Sequence, residues 1–166
     1  MKRLNSIFPI LAVVLLLSVV GCSFFVLSES ELANNDGFDS SDLGLYAEAI
    51  SHYDKAIQLD PDDGGIYINR GIAYGNLGQY RRAIKDYDKA IEFSPESGGL
   101  YFWRASAYDE IGQYQNAIND YTKVIQFDPD EASLYLLRGI ALQKLYKFSL
   151  ANKDFNKACK LDKSNC

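Results

Sequence analysis

Pro61, Pro95 and Pro129 lie 34 residues apart, and the residues between them repeat at the same interval. Gly78 recurs as Gly112, Tyr80 as Tyr114, Ala83 as Ala117, Tyr87 as Tyr121, and Tyr67 as Tyr101 and Tyr135. A period of this length means that one supersecondary unit is stacked on copies of itself, each burying its apolar face against its neighbours. Stacks of this kind bind rather than catalyse. The remaining questions are what the unit is, where the stack starts and ends, and which face is left for a partner.

Within the unit from Gly64 to Ser97, Tyr67, Arg70, Gly71 and Tyr74 share one helical face. Gly78 ends that helix, because glycine takes the left-handed conformation at a C-terminal cap without steric penalty. Tyr80, Ala83, Ile84, Tyr87, Ala90 and Ile91 form a second stripe, closed by Ser94-Pro95. Small residues at Gly71 and Ala83 let the two helices approach, with Tyr74 and Tyr87 filling the remaining space. The next unit repeats the scheme through Tyr101, Arg104, Ala105, Tyr108, Gly112, Tyr114, Ala117 and Tyr121, and the last through Tyr135, Arg138, Gly139, Leu142, Phe148, Ala151 and Phe155.

These residues resemble the tetratricopeptide repeat, a 34-residue helix-turn-helix unit, over residues 46–163. The resemblance implies an all-α, right-handed solenoid of antiparallel helix pairs, with full repeats at 64–97, 98–131 and 132–163 and a tail at 164–166. Upstream, Gly44, Tyr46, Ala49, Tyr53, Ala56 and Pro61 match only a second helix. Residues 46–63 are therefore expected to form a half repeat, its first helix degraded or absent. A half repeat leaves a face for a second protomer, so a homo-oligomer and a structural, self-assembling role follow as the alternative reading. At the other end Ile50, Ile84 and Ile118 are followed by Asn152, and Ile57, Ile91 and Ile125 by Cys159. Polar residues in those columns fit a stack that ends there. Tyr146 replaces the hinge glycine, which predicts a last turn that is strained or differently shaped.

The N-terminus reads as a targeting segment. Lys2 and Arg3 precede an apolar run from Ile7 to Val20, interrupted by Pro9 and Ser18, and Val19-Val20-Gly21-Cys22 follows. The run spans roughly 21 Å as a helix, short of the ~30 Å hydrocarbon core of a bilayer. Its end resembles the lipobox of bacterial lipoproteins, which implies a signal peptide at 1–21, diacylglyceryl attachment to Cys22, cleavage before it and acylation of the new amine. Several acyl chains hold a protein on a membrane essentially permanently. The resemblance implies a lipid-anchored protein of the bacterial cell envelope, with Ser23 pointing to the outer membrane. The residues also leave open an uncleaved anchor extending to about Leu27 and ordinary secretion. Residues 22–45 are rich in Ser, Glu, Asn, Asp and Gly, the composition of a solvated, flexible, lipidated tether.

Charge and side-chain inventory narrow the function. Formal net charge is −5, with Lys2-Arg3 read as the only basic cluster. Nucleic acid is therefore excluded as a partner, since affinity for phosphate needs a basic stripe. His52, the only histidine, has no companions at metal-ligand spacing, so no metal is expected, and neither a phosphate-cradling loop nor a nucleophile elbow is present. No cofactor is implied, and the chain does not read as an enzyme. Arg70, Arg104 and Arg138 recur with Asp86, Asp120 and Asp154, which predicts interhelical ion pairs rather than a ladder for an acidic ligand.

Positions on each first helix that miss the packing stripe line a concave groove in this family. Here they are Gly65, Ile68, Ile72 and Gly75, then Phe102, Ser106 and Asp109, then Leu136, Ile140 and Gln143, with Gly99 and Ser133 at the edge. Co-chaperone members of the family grip a peptide carboxylate with Lys, Asn and Arg in these columns. The apolar side chains here imply instead an apolar peptide or amphipathic helix. The ending Ala158-Cys159 through Cys166 resembles the paired cysteines of Sel1-type repeats, with a spacing one residue shorter, and implies a disulfide in an oxidising compartment. The whole reads as a membrane-tethered adaptor that binds an envelope protein.

Overall fold

Glycine sets the turn inside the first three helix pairs: Gly44, Gly78 and Gly112 have φ of 75°, 71° and 73°, a region closed to most side chains. The residue after each donates its N–H back across the turn, Leu45 to Ser40 and Gln79 to Tyr74 at 2.8 Å each. The computed structural model describes residues 27–166. The expected signal peptide and Cys22 lie outside the described residues.

Eight helices follow in order: α1 Glu29–Asp42, α2 Tyr46–Leu59, α3 Gly64–Asn76, α4 Tyr80–Phe93, α5 Gly98–Glu110, α6 Tyr114–Phe127, α7 Ala132–Lys144 and α8 Phe148–Leu161, then a 3-10 turn at Lys163–Asn165. No strand occurs among the described residues. Each helix packs on the next, giving four antiparallel pairs in a right-handed solenoid. The units are tied at the loops by the repeated tyrosines. Tyr67, Tyr101 and Tyr135 donate their hydroxyls to the carbonyls of Pro61, Pro95 and Pro129 at 3.0, 2.9 and 2.9 Å.

The N-terminal end departs from the sequence expectation. Residues 29–42 are a helix, not part of a tether, and unit 1 is a whole repeat rather than a half. Ser28 caps it: its hydroxyl accepts from Glu31 N–H, and the Glu31 carboxylate accepts from Ser28 N–H at 2.7 Å. This reciprocal capping box satisfies two backbone donors that a helix start leaves unpaired. Gly37 then lies against the Tyr53 ring, where an added Cβ would stand 2.6 Å from Cε1. Ala33, Ala49 and Tyr53 are buried between α1 and α2, and the Ser30 hydroxyl donates to the Ala56 carbonyl at 3.1 Å. The polar composition matches exposure: Asn35, Asp36 and Asp39 of α1 face solvent. The face of α2 expected to await a second protomer is therefore occupied by the chain itself.

The C-terminal end behaves as a terminus. Asn152 is exposed where Ile84 and Ile118 are buried. Tyr146 keeps the shape of the glycine turns, with φ 58°, and Lys147 N–H still reaches the Leu142 carbonyl at 2.9 Å. The last turn is thus not differently shaped; it holds a non-glycine residue in the left-handed region, at a cost of about 1–2 kcal/mol. Cys159 and Cys166 are joined by a disulfide with a Cα–Cα distance of 4.8 Å, fastening the tail to α8.

Candidate functional site

The first helices of the units, α1, α3, α5 and α7, supply the inner face. Their close approach to the second helices comes from Gly37, Gly71, Ala105 and Gly139, set against Tyr53, Tyr87, Tyr121 and Phe155. With those residues turned outward into the core of each pair, the opposite helical face is left free. Ile68, Ile72 and Gly75 are half-buried there, as are Phe102, Ser106, Asp109 and Leu136, while Gly65, Ile140 and Gln143 are exposed. The sequence-derived residues thus fall on one side of successive helices and keep apolar surface available.

Two contributions were not legible as groove residues. Trp103 is 44% exposed and meets Phe102 edge-on, with ring centroids 5.8 Å apart. Its column reads Asn35, Asn69, Trp103, Leu137, so no periodic signal marked it. Phe38 on α1 is 53% exposed and stands in the same column as Ile72, Ser106 and Ile140. The 34-residue register would have placed it there had α1 been recognised.

A cleft of about 250 Å³ opens between units 2 and 3. It is lined by Ile72 and Gly75 of α3, Tyr80 and Tyr87 of α4, and Trp103 and Glu110 of α5. Asp109, which precedes Glu110 on α5, is half-buried, and its Oδ1 is fully buried with no hydrogen-bond partner. Burial, and then the neighbouring Glu110, push the Asp109 carboxyl above the usual aspartate range, against the pull of Lys144 on α7.

The arginine column is committed elsewhere. Arg70 donates through Nε and Nη2 to Asp86 at 2.8 and 2.7 Å and through Nη1 to Asp54 at 2.6 Å. Arg104 does the same with Asp120 and Asp88. Arg138 holds Asp154, but Thr122 stands where the second aspartate would be. Each guanidinium also lies over a tyrosine ring, Arg70 Cζ 5.7 Å from the Tyr67 centroid. The expected ion pairs within units are present, and the bridge to the preceding unit is an addition. Held by Nε and both Nη atoms, these arginines are parts of the stack and not of a ligand site.

Lys2-Arg3 is not the only concentration of positive charge: residues 130–166 hold seven Lys and Arg against four Asp and Glu. Among the described residues no helix is long and apolar enough to cross a membrane, and no cluster of three or more His, Cys, Asp or Glu is placed to hold a metal ion.

Comparison with known proteins agrees with this architecture. Models described as tetratricopeptide repeat match residues 66–97 and 86–119, and one described as TPR repeat matches 42–78 and 106–145. Among solved structures, a crystal structure of MamA superimposes with a TM-score of 0.76 at 26% identity, covering 81% of this chain and 79% of that one. MamA 41-end from Desulfovibrio magneticus RS-1 gives 0.77 at 24% identity, covering 82% and 77%. The first TPR of Spaghetti (RPAP3), bound to the HSP90 peptide SRMEEVD, gives 0.67 at 24%, covering 71% and 94%. No curated protein matches the sequence. The matching models describe no catalytic family, and the fold supports a protein-interaction or scaffold role. The chain belongs to the tetratricopeptide repeat family.

Proposed function

We propose that this chain is a membrane-tethered adaptor whose inner face captures an apolar peptide or amphipathic helix of an envelope protein. The observation that carries the reading is the row of apolar side chains left half-exposed on successive first helices, Ile68, Ile72, Phe102 and Leu136, beside the open Trp103. A folded chain that keeps such a row in water carries a hydrophobic surface a partner can cover. The anchor belongs to the same proposal: Cys22, at the end of the apolar N-terminal run, takes lipid and holds the solenoid at the outer membrane. Anchoring confines the domain to a surface and raises its effective concentration, so a modest groove affinity suffices.

The test is photo-cross-linking in the native cell, with a probe replacing Phe102 and a matched probe at exposed Gln115. A second protein captured from Phe102 and not from Gln115 supports docking in the groove. Self-cross-links alone, or capture from neither site, overturn it. Radiolabelled palmitate that still enters a Cys22→Ser variant would end the lipoprotein part.

A further inference from the structure

The inner face is apolar along its middle and acidic in its charges. Its outward-turned ionisable residues are Glu31 and Asp42 on α1, Asp109 and Glu110 on α5, and Lys144 on α7. The arginine column does not offset these acids, since Arg70 and Arg104 are each paired with two aspartates of the stack. Resting on the reading of this face as the docking groove, we propose that its occupant carries a cationic side chain, arginine or lysine, flanked by apolar residues, and that the cation seats between Trp103 and Glu110 in the cleft of units 2 and 3.

Three features support this. The cleft has aromatic walls, Tyr80, Tyr87 and Trp103, and one carboxylate, Glu110, in a space of about 250 Å³. Ring faces attract cations within about 6 Å, and a carboxylate beside them adds a charge-assisted hydrogen bond. Elsewhere in the fold the chain satisfies its own cations in this way, with Arg82 Cζ 5.6 Å from the Tyr74 centroid and Lys123 Nζ 5.0 Å from that of Phe127. Asp109, the residue before Glu110 on α5, adds a second acidic side chain close to that carboxylate. An anionic segment meets the opposite: its charge would approach Glu110 in a cleft whose lining includes no cation. Selection by charge therefore comes as much from rejecting acidic peptides as from holding basic ones.

Trp103 is the only tryptophan, so its emission reports the cleft directly. The full chain in nonionic detergent is titrated with three capped peptides, Gly-Leu-X-Leu-Gly, in which X is arginine, glutamine or glutamate. The arginine peptide is expected to shift Trp103 emission at about tenfold lower concentration than the glutamate peptide. In an Asp109→Asn/Glu110→Gln variant, shown to be folded by circular dichroism, the gap should shrink below about threefold while the glutamine peptide binds as before. Equal binding of all three peptides overturns the charge selection and leaves the groove intact as an apolar site. A gap that survives both substitutions places the cation elsewhere and overturns the assignment. No emission change with any peptide also overturns it. In that case the cross-link from Phe102, which does not depend on the cleft, decides the docking reading separately.

Discussion

Replacing Arg104 by methionine tests whether the ion-pair column carries the stack or merely decorates it. The Arg104 side chain is 18% exposed and its partner Asp120 9%, whereas Asp88 is 48% exposed. Methionine keeps an unbranched apolar stem and removes all three donated hydrogen bonds. Removing one partner of a buried pair typically costs about 3–5 kcal/mol, because the other charge stays buried without compensation. Losing the half-exposed Asp88 contact adds less than about 1 kcal/mol. Because water reaches part of the guanidinium, the lower end applies, and Arg104→Met should cost about 3 kcal/mol. Arg138→Met should cost slightly less, since Thr122 rather than a carboxylate is left behind. Replacing both members, Arg104→Met with Asp120→Leu, removes the stranded charge and should return stability to within about 1 kcal/mol of the parent. Urea unfolding followed by circular dichroism gives these values, provided the slope with denaturant is unchanged. A single substitution costing under about 1 kcal/mol, or a double variant no better than the single, would refute the reasoning.

Three further outcomes follow from the same structure. Gly37→Ala drives a Cβ to 2.6 Å from the buried Tyr53 ring and should destabilise by about 1–3 kcal/mol, whereas Gly75→Ala meets nothing nearer than 3.8 Å and should be neutral or stabilising, both read from urea midpoints. Tyr146→Gly relieves the φ of 58° and should stabilise by about 0.5–1 kcal/mol, measured the same way. Asp109 has its folded-state pKa raised, mainly by burial, so folding disfavours its charged form, and the penalty present at neutral pH is relieved as pH falls through that raised pKa. Asp109→Asn should therefore raise the melting temperature at pH 7, with the two proteins converging below about pH 4 in parallel thermal scans.

Much of this fold was written in the period. The columns of Pro61, Gly78, Ala83 and Tyr87 specify the pairing, the turn and the contact between helices, because each is a place where few kinds of side chain fit. The intra-unit ion pairs were legible for the same reason, Arg70 and Asp86 recurring together. The first helix was hidden by a conflict between levels: its exposed residues are polar enough to resemble a tether in composition, while their register is that of a repeat. Leu32, Gly37 and Leu43 nonetheless stand 34 residues before Ile66, Gly71 and Leu77. Asp54 escaped notice because it acts across a unit boundary, 16 residues before Arg70 as Asp86 lies 16 after it. Of the site, the apolar inner row was readable from helical phase. Trp103 and Glu110 were not, since they meet at the seam between units 2 and 3 and their columns hold other side chains elsewhere, and nothing in the period marks the unpartnered Asp109 oxygen.

The central claim is that one continuous inner face, running through all four units, docks a partner. It is tested most directly by photo-cross-linking from the whole column Phe38, Ile72, Ser106 and Ile140, with Ser51, Lys85, Asn119 and Lys153 on the second helices as exposed controls. The account predicts that the same partner is captured from several inner positions, Phe38 on α1 included, and from none of the controls. Capture from the controls, or capture that stops at the boundary between α1 and the units after it, would contradict a groove built from four whole repeats.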